Sequence, residues 1–337
     1  MPLPIGTLKR PRTREEVAAL LRESGIVGAG GAGFPTYLKY QRPASLLIAN
    51  GMESEPGFWA DKLLLRDHPE EFAALFRALR ELFGFAKIIL AVKERYRDWV
   101  GGLEALSHDG AFEIRYLRDT YGLGAERALI YELTGRRLPP GSYPIDLGIV
   151  VNNVETLYNV YRALEEGWPV ITKFLTVFGE VAEPKAFEAP VGAYAHELLE
   201  LAGVDPSDPQ LRLIDGGPLM GELVDLEDYA IKKTTNGLLV VRVELLEVRA
   251  KTYPKETQTQ AAPPPAIVNL EGEIHRVKLD LRPYPGGPAA RPLVQEGQRV
   301  ERGEPVAEPE EEPAVAVHAS IGGTVVEVGE DHIAIEA

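Results

Sequence analysis

Five glycines fall between positions 25 and 33 (Gly25, Gly28, Gly30, Gly31 and Gly33), in the stretch Gly25-Ile-Val-Gly-Ala-Gly-Gly-Ala-Gly-Phe-Pro-Thr-Tyr-Leu-Lys-Tyr40. A run so poor in Cβ atoms lets main-chain N–H groups come close to a flat or anionic ligand. Pro35 fixes φ and opens a short helix, whose N-terminus favours a phosphate. Lys39 adds a charge one turn in. The spacing Gly28-x-Gly30-x-x-Gly33 matches the dinucleotide fingerprint, but that fingerprint follows a strand. Here a helix comes first: Thr13-Arg-Glu-Glu16 is a capping box and Gly25 is the C′ residue. An ordinary Rossmann phosphate loop is therefore not expected. Phe34-Pro35 and Lys39 argue equally against a flexible linker.

Downstream, apolar runs alternate with amphipathic stretches. Leu46–Ala49, Ala86–Val92, Phe112–Leu117 and Ile149–Val151 read as short strands. The segment from Pro69 carries Phe72, Leu75, Phe76, Leu79, Leu82 and Phe83 at helical spacing, a core face. Such alternation predicts a parallel, Rossmann-like α/β sheet. In open sheets of that kind ligands bind beyond the carboxyl ends of the strands. Polar residues collect at those ends: Asn50, Glu53, Ser54 and Glu55 after the first strand, and Asn152-Asn153 after Ile149–Val151. Asn153 also suits the N-cap of a helix over 154–166, which accounts for one amide but not for the pair. Between them, Asp119-Thr-Tyr-Gly-Leu-Gly-Ala-Glu126 is a second glycine-containing bend, leading into a helix over 127–133.

Taken together, Gly28-Ala-Gly-Gly-Ala-Gly-Phe-Pro-Thr-x-x-Lys39, Asn50-x-x-Glu-Ser-Glu-Pro56 and Asn152-Asn-Val-Glu-Thr156 resemble the NADH-binding flavoprotein subunit of respiratory complex I. They are similar also to the C subunit of the Rnf complex and to the cobalamin reductase of propanediol utilisation. The resemblance implies that Gly28, Gly30, Gly31 and Gly33 wrap FMN. It implies that Lys39, Asn50, Glu53, Ser54, Tyr121, Gly124, Asn152 and Asn153 line it, and that Phe34, Glu55 and Glu126 meet NADH. Glu55 and Glu126 are the candidate catalytic residues in the sense of positioning. Two positions depart from the complex I pattern: Met52 and Ala125 stand where that subunit has acids. A small residue at 125 is Rnf-like, as is the loop Thr134–Gly141, in which Arg136 and Arg137 read as solvated charges.

The second half changes character. Residues 171–248 run strand, strand, helix, strand (172–178 alternating, a helix over 194–202, a strand over 211–214). That order resembles the soluble-ligand-binding β-grasp domain of these relatives. Gly216, Gly217 and Gly221 read as turn glycines. Lys251–Asn269, with three consecutive prolines, has linker composition. Residues 291–300 and 315–326 resemble a barrel-sandwich domain of the biotinyl/lipoyl type. No lysine follows Lys278, so covalent lipoyl or biotin is not expected. His318 reads as a structural turn residue. The expected domains are an FMN/NADH-binding α/β domain over 1–168, a β-grasp over 169–250, a linker over 251–272 and a barrel sandwich over 273–337.

Composition narrows the chemistry. The 337 residues contain no cysteine, which removes disulfides, thiolate zinc sites, catalytic thiols and cysteine-ligated iron–sulfur clusters; no metal site is expected. A net charge of −15 argues against nucleic acid as a partner. With no apolar run of membrane-spanning length and no leader pattern, the expected setting is cytoplasmic, at most peripheral to a membrane complex. The reading is an NADH-dependent FMN oxidoreductase or electron-input subunit that delivers electrons to an external acceptor, either a partner protein or a membrane-complex subunit. Two alternatives stand beside it: a non-catalytic flavin, nucleotide or partner-binding module, and a corrinoid-handling protein.

Overall fold

Short apolar runs become the strands of two distinct sheet systems. The computed structural model describes residues 13–53, 55–248, 263–282, 284 and 286–337. Ser54 and the stretch 249–262 of the expected linker lie outside the described residues. The chain divides into two units, one comprising residues up to 22, 35–54 and 61–168, the other 23–34, 55–60 and 169–337.

The first unit begins with helix α1 (Arg14–Glu23). The expected capping box forms: Thr13 N–H donates to the Glu16 carboxylate and Glu16 N–H donates to Thr13 Oγ1. Helix α2 (Thr36–Tyr40) follows Pro35. A four-stranded sheet is then built from β1 (Leu46–Gly51), β2 (Lys87–Lys93), β3 (Glu113–Leu117) and β4 (Ile149–Asn153), in the order β3-β2-β1-β4. Every pairing is parallel. Helix α3 (Ala60–Asp67) and helix α4 (Pro69–Phe83) connect β1 to β2. In α4, Pro69 occupies the first turn with Glu70 and Glu71, as the macrodipole favours. Gly84 ends the helix at φ 66°, donating to the Arg80 carbonyl. Phe72, Leu75, Phe76, Leu79 and Phe83 are buried, so the helical spacing marked the core face. Helix α5 (Gly101–Leu106), helix α6 (Glu126–Thr134) and helix α7 (Val154–Tyr161) complete the unit. The helix expected over 154–166 keeps α-geometry only to Tyr161 and widens to a π-turn over 162–166.

Chain order fixes where this sheet opens. From β1 the chain steps outward through β2 to β3, then returns to the opposite side of β1 as β4. The direction reverses between β1 and β4, which is the topological switch point of a doubly wound sheet.

The second unit holds a six-stranded mixed sheet. It contains β5 (Thr172–Gly179), β6 (Lys185–Pro190), β7 (Leu211–Asp215), β8 (Glu222–Val224), β9 (Gly237–Arg242) and β10 (Ile267–Asn269), with helix α8 (Ala195–Leu201) between β6 and β7. The order is β10-β6-β5-β9-β7-β8. An antiparallel β5–β6 hairpin, a helix and a last strand, β9, parallel to β5 define a β-grasp. Two expectations need correction. Strand β5 is buried at every position from Thr172 to Phe178 rather than alternating, because both faces of the sheet are covered along this central strand. Residues 267–269, read as linker, pair in parallel with β6 as an edge strand, since the outer edge of β6 offers free N–H and C=O groups.

The last segment forms two small sheets. One joins β11 (Arg276–Asp280), β13 (Arg299–Val300), β16 (Gly323–Val328) and β17 (His332–Glu336); the other joins β12 (Arg291–Pro292), β14 (Pro305–Glu308) and β15 (Val317–His318). The short antiparallel strands make the expected barrel sandwich, with His318 in a strand rather than a turn.

Candidate functional site

The switch point of the parallel sheet gathers the expected polar residues of the first unit. In the β1–β4 register Ala49 faces Asn152 and Asn50 faces Asn153, so two amides, Asn50 and Asn153, are register partners at the carboxyl ends of adjacent strands, and Asn152, one residue earlier, points to the opposite face. Asn50 Nδ2 donates to the Gly124 carbonyl (2.9 Å), and its Oδ1 accepts from Met52 N–H (3.1 Å). The bend containing Tyr121 and Gly124 is thereby tied to the end of β1. Tyr121 itself is about half exposed. Met52 is fully buried in the core with Ile48, Ala91 and Leu129; at this departure from the complex I pattern the side chain packs rather than solvates.

The two adjacent asparagines divide their work. Asn153 is the N-cap of α7, its Oδ1 accepting from Thr156 N–H, and its Nδ2 donates to Asp61 Oδ2 (2.6 Å). Asn152, 1% exposed, donates from Nδ2 to the Tyr40 hydroxyl (2.6 Å). Asn152 Oδ1 and the nearby Thr36 Oγ1 are buried without a hydrogen-bond partner among the described residues. Buried polar atoms left so are rare, and they are the natural contacts for a ligand or water.

Lys39 crosses from α2 to the same strand. Its Nζ donates to the Val151 carbonyl (2.7 Å) and stands 3.9 Å from the Glu126 carboxylate. Burial lowers the Lys39 ammonium and Glu126 opposes that shift; burial likewise raises the Glu126 carboxyl against the pull of Lys39 and Arg127. Perturbed titratable pairs of this kind concentrate at functional sites.

A second cluster in this unit escaped the sequence reading. Lys62 and Lys93 are both buried. Burial pushes Lys62 down to about 8, against the attraction of Glu53. Lys93 and Arg95 pair with Asp119 at 2.7 and 2.8 Å; burial alone would raise Asp119, but these cations hold it low. Asp61 also accepts from Glu155 N–H (3.2 Å), so it braces the start of α7. Only the position of Lys93 at the end of an apolar strand hinted at a role.

The glycine loop belongs to the second unit. Gly28 N–H donates to the Phe34 carbonyl (2.8 Å) and Gly33 N–H to the Gly28 carbonyl (3.1 Å), closing the loop at its base. Gly31 and Gly33 have φ of 109° and 64°, which side chains rarely tolerate. Gly30, Gly31 and Ala32 form an exposed tip. A Cβ on Gly31 would find nothing nearer than Asn236 Nδ2 at 4.0 Å. Two buried lysines brace the arms. Lys173 Nζ donates to the Ala29 carbonyl (3.3 Å) and Asn236 Oδ1 (2.8 Å), and Lys233 Nζ donates to the Gly25 carbonyl (2.7 Å). Phe34 meets Tyr284 edge-on at 5.9 Å.

Glu55 is also in the second unit, where its Oε2 accepts from Leu219 N–H (3.3 Å). A Cβ on Gly217 would collide with that carboxylate. Gly217 is thus a seat for Glu55, a role beyond the turn expected for it, whereas Gly216 with φ 109° does serve the turn.

A parallel sheet with amides at its switch point and a separate glycine loop lie within a segment that a family model matches. Residues 21–162 match the Nuo51 FMN-binding domain, and residues 273–337 match the RnfC barrel sandwich hybrid domain. The two matched segments carry the parallel sheet with its glycine loop and the barrel sandwich, as the sequence motifs implied.

Among particular relatives, it is similar to the cobalamin reductase PduS of Salmonella typhimurium, with 37% identity over 70% of this chain and 52% of that protein. The PduS of Citrobacter freundii is 39% identical over 66% and 49%. The C subunit of the Na+-translocating ferredoxin:NAD+ oxidoreductase complex of Acetobacterium woodii is 30% identical over 73% and 56%. The chain spans about half the length of these curated relatives. Among solved structures, a chain of an NAD+-reducing [NiFe]-hydrogenase in the air-oxidized state superposes with a TM-score of 0.60 at 28% identity, over 70% of this chain and 48% of that one.

Proposed function

We propose that this chain binds FMN, oxidises NADH and passes the electrons to an external acceptor, as an electron-input flavoprotein. The observation that carries this is the buried, unpartnered oxygen of Asn152 beside the in-register amides Asn50 and Asn153 at the switch point of a parallel sheet, inside the segment that matches an FMN-binding domain. When bound, FMN supplies the redox chemistry by accepting a hydride, so no protein acid or base is needed.

The chain's own residues bind and orient. The buried oxygens of Asn152 and Thr36, left without partners among the described residues, fit a ligand rich in hydrogen-bonding groups. In this reading Lys39, Asn50, Glu53, Ser54, Tyr121, Gly124, Asn152 and Asn153 hold the flavin. The exposed tip of the Gly28–Gly33 loop offers it main-chain N–H groups. Phe34, Glu55 and Glu126 position the nicotinamide; they are catalytic only through placement.

The test is reconstitution of the full chain with FMN, followed by fluorescence titration and NADH oxidation with a small-molecule acceptor. Saturable quenching of flavin fluorescence and NADH-dependent acceptor reduction are expected. Absence of flavin binding overturns the proposal, and flavin binding without NADH oxidation favours the non-catalytic module. Similarity to two proteins named cobalamin reductase supports a specific second reading, in which the acceptor is a corrinoid. Cobalamin added to the FMN-loaded chain with NADH would then change its visible spectrum, and an unchanged spectrum removes this reading. The relative named as part of an oxidoreductase complex supports a partner protein as the other acceptor.

A further inference from the structure

Within the second unit, a cavity of about 150 Å3 lies where the β-grasp meets the barrel sandwich. The flavin reading makes no use of it. The two parts are locked together by main chain: Lys278 N–H donates to the Gly192 carbonyl (2.8 Å), and any Cβ on Gly192 would collide with the backbone of Lys278. Ser320 Oγ donates to the Val191 carbonyl (2.6 Å).

Its charged lining is lopsided. Lys232, Lys233 and Arg282 face one carboxylate, Asp280, together with His318. Asp280 is already engaged, accepting from Arg282 N–H (2.7 Å). Lys232 and Arg282 are exposed and form the mouth. Lys233, 5% exposed and pushed down to about 7 by burial against the pull of Asp280, donates to the carbonyls of Gly25 and Ala316. His318 is 6% exposed, and its Nδ1 has no partner among the described residues. Burial, then the charge of Lys233, pushes this imidazole down to about 3, so it stays neutral and keeps a hydrogen-bonding nitrogen for a guest. A buried nitrogen left unpaired is costly, and a guest that bonds it removes that cost. The remaining wall is apolar, supplied by Val191, Leu279 and Val317, all buried.

We propose that this cavity binds a small carboxylate with a short hydrocarbon tail, its anionic end on Lys232, Lys233 and Arg282 and its tail on the valine-lined wall. The cations neutralise the headgroup, His318 completes its hydrogen bonding, and the apolar wall discriminates against a compact, fully hydrated anion. The proposal does not depend on the flavin reading.

The experiment is calorimetric titration of the full chain with sodium butyrate at constant ionic strength, with chloride as the reference and inorganic phosphate as the competing chemistry. Saturable butyrate binding is expected. The K232Q/R282Q double variant, altered only at exposed positions, should bind butyrate about tenfold more weakly, the loss of charge-assisted contacts. Its circular dichroism melting curve should match the wild type. No saturable butyrate binding by the wild type overturns the proposal. So does undiminished binding by the double variant, or phosphate binding tighter than butyrate binding. Because the titration reads no flavin, its failure leaves the flavin reading standing.

Discussion

Lys62 is 7% exposed, yet it carries an ionisable amine whose pKa falls from 10.5 to about 8 through burial. Below about pH 8 the amine is charged in both folded and unfolded chains, and the full desolvation cost bears on the fold. Between about 8 and 10.5 the folded chain releases its proton while the unfolded chain keeps it, so stability rises with pH across that window. Lys62→Met should therefore remove that rise, making the pH dependence shallower by up to ~3 kcal/mol across the window. Denaturant melts of both proteins across that range check the sign. Lys173 is a second buried lysine, and it donates to two acceptors. Lys173→Met leaves the Ala29 carbonyl and Asn236 Oδ1 without their donor, a penalty of ~1–3 kcal/mol on one arm of the glycine loop. If the loop holds flavin, FMN affinity should fall about tenfold while the far-UV spectrum is unchanged. A fluorescence titration of the variant with FMN reads this directly.

At the level of elements, the segment 55–60 is held to β5 by close contacts rather than by hydrogen bonds alone. Phe58 stands edge-on to Phe178 at 6.1 Å, and Trp59 N–H donates to Thr176 Oγ1 (3.1 Å). Gly237, at the start of β9, has no room for a methyl group, because its Cβ would strike the Phe58 ring. Gly237→Ala should cost ~1–3 kcal/mol by overpacking, seen as a lower melting temperature with an unchanged m-value. The elements that were legible in the sequence share a cause. Strands β1, β2 and β4 carry continuous apolar runs, as strands buried on both faces of a parallel sheet must, whereas edge strand β3 alternates Glu113-Ile-Arg-Tyr-Leu117 and is only partly buried; α4 carries both its start signal and its periodicity. Strand β10 was hidden because three residues behind a proline-rich stretch carry too little pattern; only the free edge of β6 makes them a strand. In the candidate site, the end-of-strand amides were readable because strand termini are local. The pairing of Asn153 with Asp61, 92 positions away, and the seat that Gly217 makes for Glu55 are products of tertiary folding. No window of sequence contains both partners.

For the whole molecule, the decisive quantity is the number of redox centres. The full sequence lacks cysteine, so no cysteine-ligated cluster can form at any point along it. The chain also spans about half the length of the curated relatives it matches. Among the described residues no helix is long and apolar enough to cross a membrane. Within the flavin reading, electrons that enter must leave from the flavin itself, and the acceptor must approach that site rather than the end of an internal relay. A reductive titration separates these cases. The FMN-loaded chain, reduced anaerobically with dithionite, should take up two electrons per bound flavin and then stop. Cooled samples taken along the titration should show no iron–sulfur resonance in electron paramagnetic spectra. Uptake beyond the flavin equivalent would mean a second centre held by ligands other than cysteine, and the acceptor would then no longer need to reach the flavin.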